Sequence, residues 1–305
     1  MSKLILSLGQ ISKDDTFSCG GKGARLGELI KIGMPVPEGF VVTTDVYRKF
    51  LKENEVEINL EGVNVEDSEA VGFVSDEIQK LILDGNLNPK LQEKIIIHFN
   101  KLSCQFVAVR SSATAEDTTR TSWAGQLSTY LNTQKKDLID NIKQCWTSLF
   151  NPRAISYRAT QQLLEANIAV AVIVQKMVDA EVSGIAFTAH PVTKDKDMIL
   201  IEAGLGLGEA MVSGMVTPDN YVIDKKSLSV YDFKIGKQKK MVTKDGVIDI
   251  SEEKQSERKL NEEKAVELAK LCVKIENHYG VPQDIEWALS QDRLFILQAR
   301  PVTTL

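Results

Sequence analysis

The sequence predicts an α+β (α/β) fold in two halves, on three observations. Up to about residue 166 most segments carry apolar residues at helical spacing. Beyond that point, short apolar runs follow one another between turn residues, as antiparallel strands do. The change falls around the dense apolar run IVQKMV, which ends at Val178. The expected halves are 1–178, richer in helices, and 179–305, mostly antiparallel sheet. A chain of 305 residues has enough material for one large domain or two lobes with a proper core.

Taken in order, residues 24–31 place Leu26, Leu29 and Ile30 on one helical face, and Gly33 follows as a stop. GFVVTT reads as a buried strand and DVYRKFLKEN as a helix capped by Asp45. Residues 54–68 are polar and acidic, a surface connection. Helices are expected at about 67–83 and 89–102, the second opened by Pro89. QFVAVR is a short strand. SSATAEDTTRTSWAG has no periodicity and reads as a long functional loop, with Trp123 either packing it down or lying in the core. QLSTYLN is a strand, followed by helices at about 135–149 and 152–166, and IAVAVIVQKMV is a dense apolar strand.

In the second half, SGIAFT, DMILIEA, NYVID and SLSVYDF read as strands. The charged segment VTKDGVIDISEEKQSERK leads into an amphipathic helix near 260–279. DIEWALS and RLFILQAR close the chain as a hairpin turning at Gln291-Asp292.

Charge and cysteine usage exclude some functions. With 37 basic and 42 acidic residues the chain is net −5, which argues against a nucleic-acid partner. A small phosphate ligand needs only a few local cations and stays open. Cys19, Cys104, Cys145 and Cys272 are scattered without a CxxC pair, so they read as free thiols in a reducing compartment. The early polar N-terminus and the lack of a long apolar run imply no signal peptide and no membrane span, so the expected location is cytoplasmic.

Three stretches carry residue types suited to polyphosphate chemistry. CGGKGARLGEL crowds glycines around Lys22 ahead of a helix. Glycines let backbone amides approach an anion and lysine adds a charge, although the spacing is neither a P-loop nor a dinucleotide fingerprint. A glycine-rich turn with a solvated lysine is the other reading. Arg110 ends a strand, where its guanidinium either forks onto phosphate or makes a surface ion pair. EAGLGLGEAMVSGMVTPD holds Gly204, Gly206, Gly208 and Gly214, a phosphate turn or a tight strand-to-helix connection.

The terminal hairpin is the sharpest of these features. Alternation puts Asp284 and Glu286 on one face of DIEWAL, and Gln298 and Arg300 on one face of LFILQAR. A hairpin brings Glu286 close to Gln298. A carboxylate and an amide oxygen on adjacent strands suit magnesium, which takes few protein ligands plus phosphates, and Arg300 beside them would meet the same phosphates. His98, His190 and His278 show no partner spacing and read as structural.

Together GGKGARLGEL, VPEGFVVTTDVY, VRSSATAEDTTRTSWAGQLSTYLN, VQKMVDAEVSGIAFTAHPVT, IEAGLGLGEAMVSGMVTPDNYVID, DIEWAL and LQARPVT resemble the N-terminal nucleotide-binding domain of phosphoenolpyruvate synthase and pyruvate phosphate dikinase. Rifamycin phosphotransferases share this domain. The resemblance implies an ATP-grasp-like fold with ATP sandwiched between two lobes. It implies that Lys22, Arg110 and Arg300 contact phosphates and act in catalysis, that Thr129 lines the site, and that Gln175, Lys176, Met177 and Val178 form the strand holding adenine. Glu286 and Gln298 would bind Mg2+.

The family's reaction passes a pyrophosphoryl group from ATP to a histidine on a swivelling domain, and onward to pyruvate or, in the resistance enzymes, to the antibiotic. Neither acceptor domain is recognisable here, so the expectation is an excised domain or one subunit of a split enzyme. A non-catalytic nucleotide-binding regulatory module is the reading from another class.

Overall fold

The computed structural model describes residues 4–115, 127–164, 166, 168–212 and 214–302. The chain divides into two compact units, Met1–Glu28 with Glu38–Met177, and Leu29–Pro37 with Val178–Leu305. The fold is α+β in both.

The first unit opens with β1 (Ile5–Ser7) and α1 (Thr16–Lys31), which continues into the second unit's first segment. Helix α1 starts well before the stretch at 24–31 where apolar spacing is visible, and it is broken at Gly20, whose φ of 70° and ψ of 172° are not helical. A Cβ at position 20 would lie 2.2 Å from the Ser112 carbonyl oxygen, so a left-handed residue without a side chain is required.

β2 (Gly39–Val42) and α2 (Thr44–Glu53) follow. The residue preceding α2 in extended conformation is Thr43, not Asp45, which sits inside the first turn and complements the helix N-terminus by its charge. α3 (Ser68–Asp84) is capped by Asp67, whose carboxylate accepts from the Glu69 and Ala70 amides. α4 (Pro89–Lys101) is capped by Asn88 with Pro89 in its first turn.

β3 (Val107–Ala113) runs three residues beyond the expected strand, taking Ser111, Ser112 and Ala113 from the anticipated loop. The rest of that loop, from 116 onward and including Trp123, lies outside the described residues. β4 (Thr129–Thr133), α5 (Leu138–Thr147), α6 (Pro152–Thr160) and β5 (Val170–Lys176) complete the unit. α6 stops at Thr160 rather than 166, because Arg158 turns back and donates to the carbonyls of Leu163, Leu164 and Ala166.

The five strands form an antiparallel sheet in the order β1-β2-β5-β3-β4. Its two faces have different fates, because side chains alternate along a strand. Val107, Val109 and Ala113 with Val170, Val172 and Val174 join the apolar core, where Phe50 and Trp146 pack with ring centroids 4.9 Å apart. Ala108, Arg110 and Ser112 with Ala171, Ile173 and Gln175 turn to the other face.

The second unit is built on β6 (Val182–Phe187), β7 (Met198–Leu205), the short α7 (Glu209–Val212), β8 (Asp219–Asp224) and β9 (Ser229–Lys234). The charged segment, read only as a connection, forms a hairpin of β10 (Lys240–Thr243) and β11 (Gly246–Asp249). α8 (Glu262–Tyr279) is capped by Asn261 and closed by Gly280 at φ 71°. β12 (Gln283–Ser290) and β13 (Arg293–Pro301) pair across Gln291 and Asp292, both with positive φ, the hairpin turn that matches strand twist.

The six-stranded antiparallel sheet runs β13-β12-β6-β7-β8-β9. Ile296 on the edge strand β13 donates its amide to Pro35 O at 2.9 Å, so the Leu29–Pro37 segment covers that edge. Asp219 and Lys259 form a fully buried ion pair at 3.1 Å in this unit. No helix among the described residues is long and apolar enough to cross a membrane.

Candidate functional site

In the first unit, the glycine loop is fastened to β3. Ser112 Oγ donates to Cys19 O at 2.8 Å and accepts from the Gly23 amide at 3.0 Å. Lys22, half-buried, then reaches the next carbonyl of the strand, with Nζ 3.5 Å from Ser111 O. Ser111 turns to the core and bonds Ser128 O, Cys145 O and Ser148 Oγ, which fixes this end of β3. Arg110 and Thr129 are direct cross-strand partners, so they share a face.

Gln175 is buried and pairs with Ala108, two positions along from Arg110 on that same face. Lys176 is exposed, and the amides of Lys176 and Met177 donate to Glu38 O and Phe106 O. Two cations, a hydroxyl and an amide side chain are thus assembled around one sheet face. The Cys19 and Cys145 thiols are pushed up to about 12 by burial, so both are protonated and inert at neutral pH.

In the second unit, strand register does the positioning. Glu286 faces Gln298 across β12 and β13, and the neighbouring same-face pair is Asp284 opposite Arg300. The Arg300 Nε and Nη2 atoms lie 2.9 Å and 2.8 Å from Asp284 Oδ2, which orients the guanidinium. Burial raises the Asp284 pKa, Arg300 opposes the rise, and Glu286 adds to it by like-charge repulsion.

Glu202 belongs to the same row, since Glu286 pairs with Ile185 and Ile185 with Glu202. Its pKa is raised by burial and then by Asp284. Glu202 escaped the sequence reading, although a lone carboxylate inside MILIEA was a visible signal; the Ser112 clamp had none, being a contact across 93 residues.

Among the described residues no group of three or more His, Cys, Asp or Glu has metal-ligating geometry. One carboxylate facing one amide oxygen, beside further carboxylates whose charge is penalised, fits magnesium, which fills its shell with water and phosphate. It does not fit a closed zinc site. Val178 is half-buried at the start of the second unit's long segment. The histidines are engaged locally: His98 Nδ1 lies 2.8 Å from Lys94 O, His190 Nδ1 accepts from two loop amides, and His278 stacks edge-on against Tyr279. The glycine-rich turn at 204–214 is a strand-to-helix connection held by Gln238, which bonds Leu205 through both its amide atoms.

A family described as "Pyruvate phosphate dikinase, AMP/ATP-binding domain" matches residues 17–305. The chain belongs to this pyruvate phosphate dikinase domain family. It is 42% identical to a probable phosphoenolpyruvate synthase of Methanocaldococcus jannaschii, over 99% of this chain and 27% of the relative. The corresponding enzyme of Archaeoglobus fulgidus is 43% identical over 99% of this chain and 42% of its own length. Rifampicin phosphotransferase of Bacillus subtilis is 39% identical over the whole of this chain and 36% of its own length. The chain thus spans less than half of each of these relatives. For a pyruvate phosphate dikinase AMP/ATP-binding domain, the two residue sets above have the chemistry to meet phosphate and a divalent cation.

Proposed function

We propose that the chain binds Mg–ATP in an ATP-grasp-like fold and is the nucleotide-binding part of a phosphoenolpyruvate synthase-like dikinase. The overall reaction would be ATP, pyruvate and water to AMP, phosphoenolpyruvate and phosphate. This chain's part would be to present the pyrophosphoryl group of ATP to a histidine on a separate domain or chain. The observation that carries the reading is the register of the terminal hairpin, with Glu286 opposite Gln298 and an Asp284-oriented Arg300 one same-face pair away.

Phosphoryl transfer asks a protein mainly for positioning and charge neutralisation. The first unit would contribute Lys22 and Arg110 against phosphate oxygens, Thr129 beside them, and Gln175, Lys176 and Met177, at the end of its last strand and just beyond, against the base, with Val178, the first residue of the second unit's long segment, following them. The second unit would contribute Glu286 and Gln298 as magnesium ligands, with Arg300 held by Asp284 to fork onto phosphate. Magnesium, when bound, would neutralise phosphate charge. The likeness to a rifampicin phosphotransferase, over the whole of this chain and 36% of that relative, supports a second reading, in which the final acceptor is an antibiotic.

The test is transfer of β-labelled phosphate from ATP to an added histidine domain of a phosphoenolpyruvate synthase. The expected outcome is labelled histidine, falling about a hundredfold or more in Lys22→Ala and Arg300→Ala, with circular dichroism unchanged. Tight ATP binding without any transfer would refute the donor role, and undiminished transfer in both variants would refute the residue roles.

A further inference from the structure

In the second unit, β11 is exposed along its whole length, Val247 and Ile248 included. A two-stranded ribbon that buries so little is marginal by itself, so its fastenings decide where it lies.

Those fastenings run from base to tip. At the base, the buried Gln238 donates from Nε2 to Leu205 O and Lys240 O, both at 2.9 Å. Midway, the Leu207 amide donates to Val242 O at 2.8 Å. This lays β10 on the turn after β7 so closely that a Cβ at Gly206 has no room. At the tip, Lys244 Nζ lies 3.0 Å from Asp179 Oδ2, an exposed ion pair. Lys244 is presented by a defined turn. Thr243 pairs with Gly246, and Thr243 Oγ1 donates to Gly246 O and accepts from the Asp245 amide.

Asp179 follows Val178, and both belong to the same unit as the hairpin. β5 ends at Lys176 and β6 begins at Val182, so the link between them depends on bonds to its neighbours. Asp179 O accepts from Ser290 Oγ at 2.7 Å, and Glu181 Oε1 accepts from the Gln291 amide at 2.9 Å. Glu181 O accepts from the Gly206 amide at 2.9 Å. The terminal hairpin and the glycine-rich turn thus hold the link from two sides, and Lys244 holds it from a third. A link ordered before a ligand arrives spares the ligand that entropy.

We propose that Lys244 is a positioning residue for the nucleotide base. Its pair with Asp179 orders the link that begins at Val178, so the base meets a segment already in place. The proposal rests on the nucleotide reading above and gives Lys244 no contact with ATP.

Calorimetric titration of the 305-residue chain with Mg–ATP tests it, in Lys244→Ala, Asp179→Asn and the double variant. Each single variant should weaken binding about two- to fivefold, the range that one exposed ion pair can supply. The double variant should be no weaker than either, because each change breaks the same pair. Lys244→Arg should bind as the wild type does, and the exchange of Lys244→Asp with Asp179→Lys should recover most of the loss. In transfer to an added histidine domain, KM for ATP should rise by the same factor with kcat unchanged. Without nucleotide, Lys244→Ala should quicken hydrogen exchange at the Leu207 amide and leave β12 unchanged.

Wild-type affinity in both single variants overturns the proposal. So does a double variant weakened by the product of the single effects, a fall in kcat at constant KM, or unaltered exchange at Leu207. Those results leave the nucleotide reading standing, whereas a wild-type chain that binds no ATP overturns both together.

Discussion

Arg158 in the first unit and Lys259 in the second are both withdrawn from water, at 4% and 6% exposed, yet among the described residues only Lys259 meets a carboxylate. Lys259 sits in a closed polar knot. Its ammonium pairs with Asp219 and donates to Gly236 O and Gln255 O, while Asp219 accepts from the Gly236 and Lys259 amides. Tyr221 extends the knot by donating to Leu260 O at 2.6 Å. Every strong donor there has an internal acceptor, so the knot ties the 236–260 segment to β8 and leaves no room for chemistry. Arg158 shapes a loop with the same type of bond. The difference separates a cation held by a carboxylate and carbonyls together from one whose donors, among the described residues, go to carbonyls alone.

The comparison breaks most visibly at Asp219. Asp219→Ala strands a buried ammonium and should cost about 3–5 kcal/mol in urea unfolding. Replacing both partners, Asp219→Leu with Lys259→Met, should recover most of that loss, since a buried pair swapped for apolar residues is often near neutral. Arg158→Met should cost less, about 2 kcal/mol, because three carbonyls lose donors while a buried charge is removed at the same time.

The smallest effect carries the comparison to an anion. Glu202 has its pKa raised by burial and by Asp284. A raised carboxylate pKa means that the folded state holds the proton more tightly. The stability this supplies is present below the unfolded value and is lost as pH rises through the folded one. Glu202→Gln should therefore raise the urea midpoint slightly at about pH 8 and leave it unchanged near pH 4. A gain of equal size at both pH values would show that charge is not the cause.

Where burial wrote a period into the chain, the sequence was readable. The terminal hairpin shows both polar alternation and a turn dipeptide, so its existence was legible, but a regular two-residue turn would set Glu286 opposite Leu297; a bulge between Glu286 and Trp287 makes the partner Gln298, and no local pattern marked it. Helices α3, α4 and α8 carry apolar spacing and caps, and fall close to their expected limits. The β10–β11 hairpin has almost no buried side chain, so it left no apolar pattern; Asp245-Gly246 was its one turn signal. The start of α1 was hidden because a glycine-rich segment carries little periodicity. Most of what holds Lys22 in place is long-range: Ser112, far along the chain, clamps both sides of the Gly20 break. No local pattern encodes such a contact.

The chain passes from one unit to the other after Glu28, returns before Glu38, and leaves again after Met177. A single cut at 177/178 would therefore not yield two self-sufficient fragments. A piece beginning at 178 would lack Leu29–Pro37, and with it the carbonyl of Pro35 that engages Ile296. An uncovered outer strand is a template for pairing with other molecules. Such a fragment should self-associate, and a synthetic peptide of residues 29–37 supplied in trans should suppress that association.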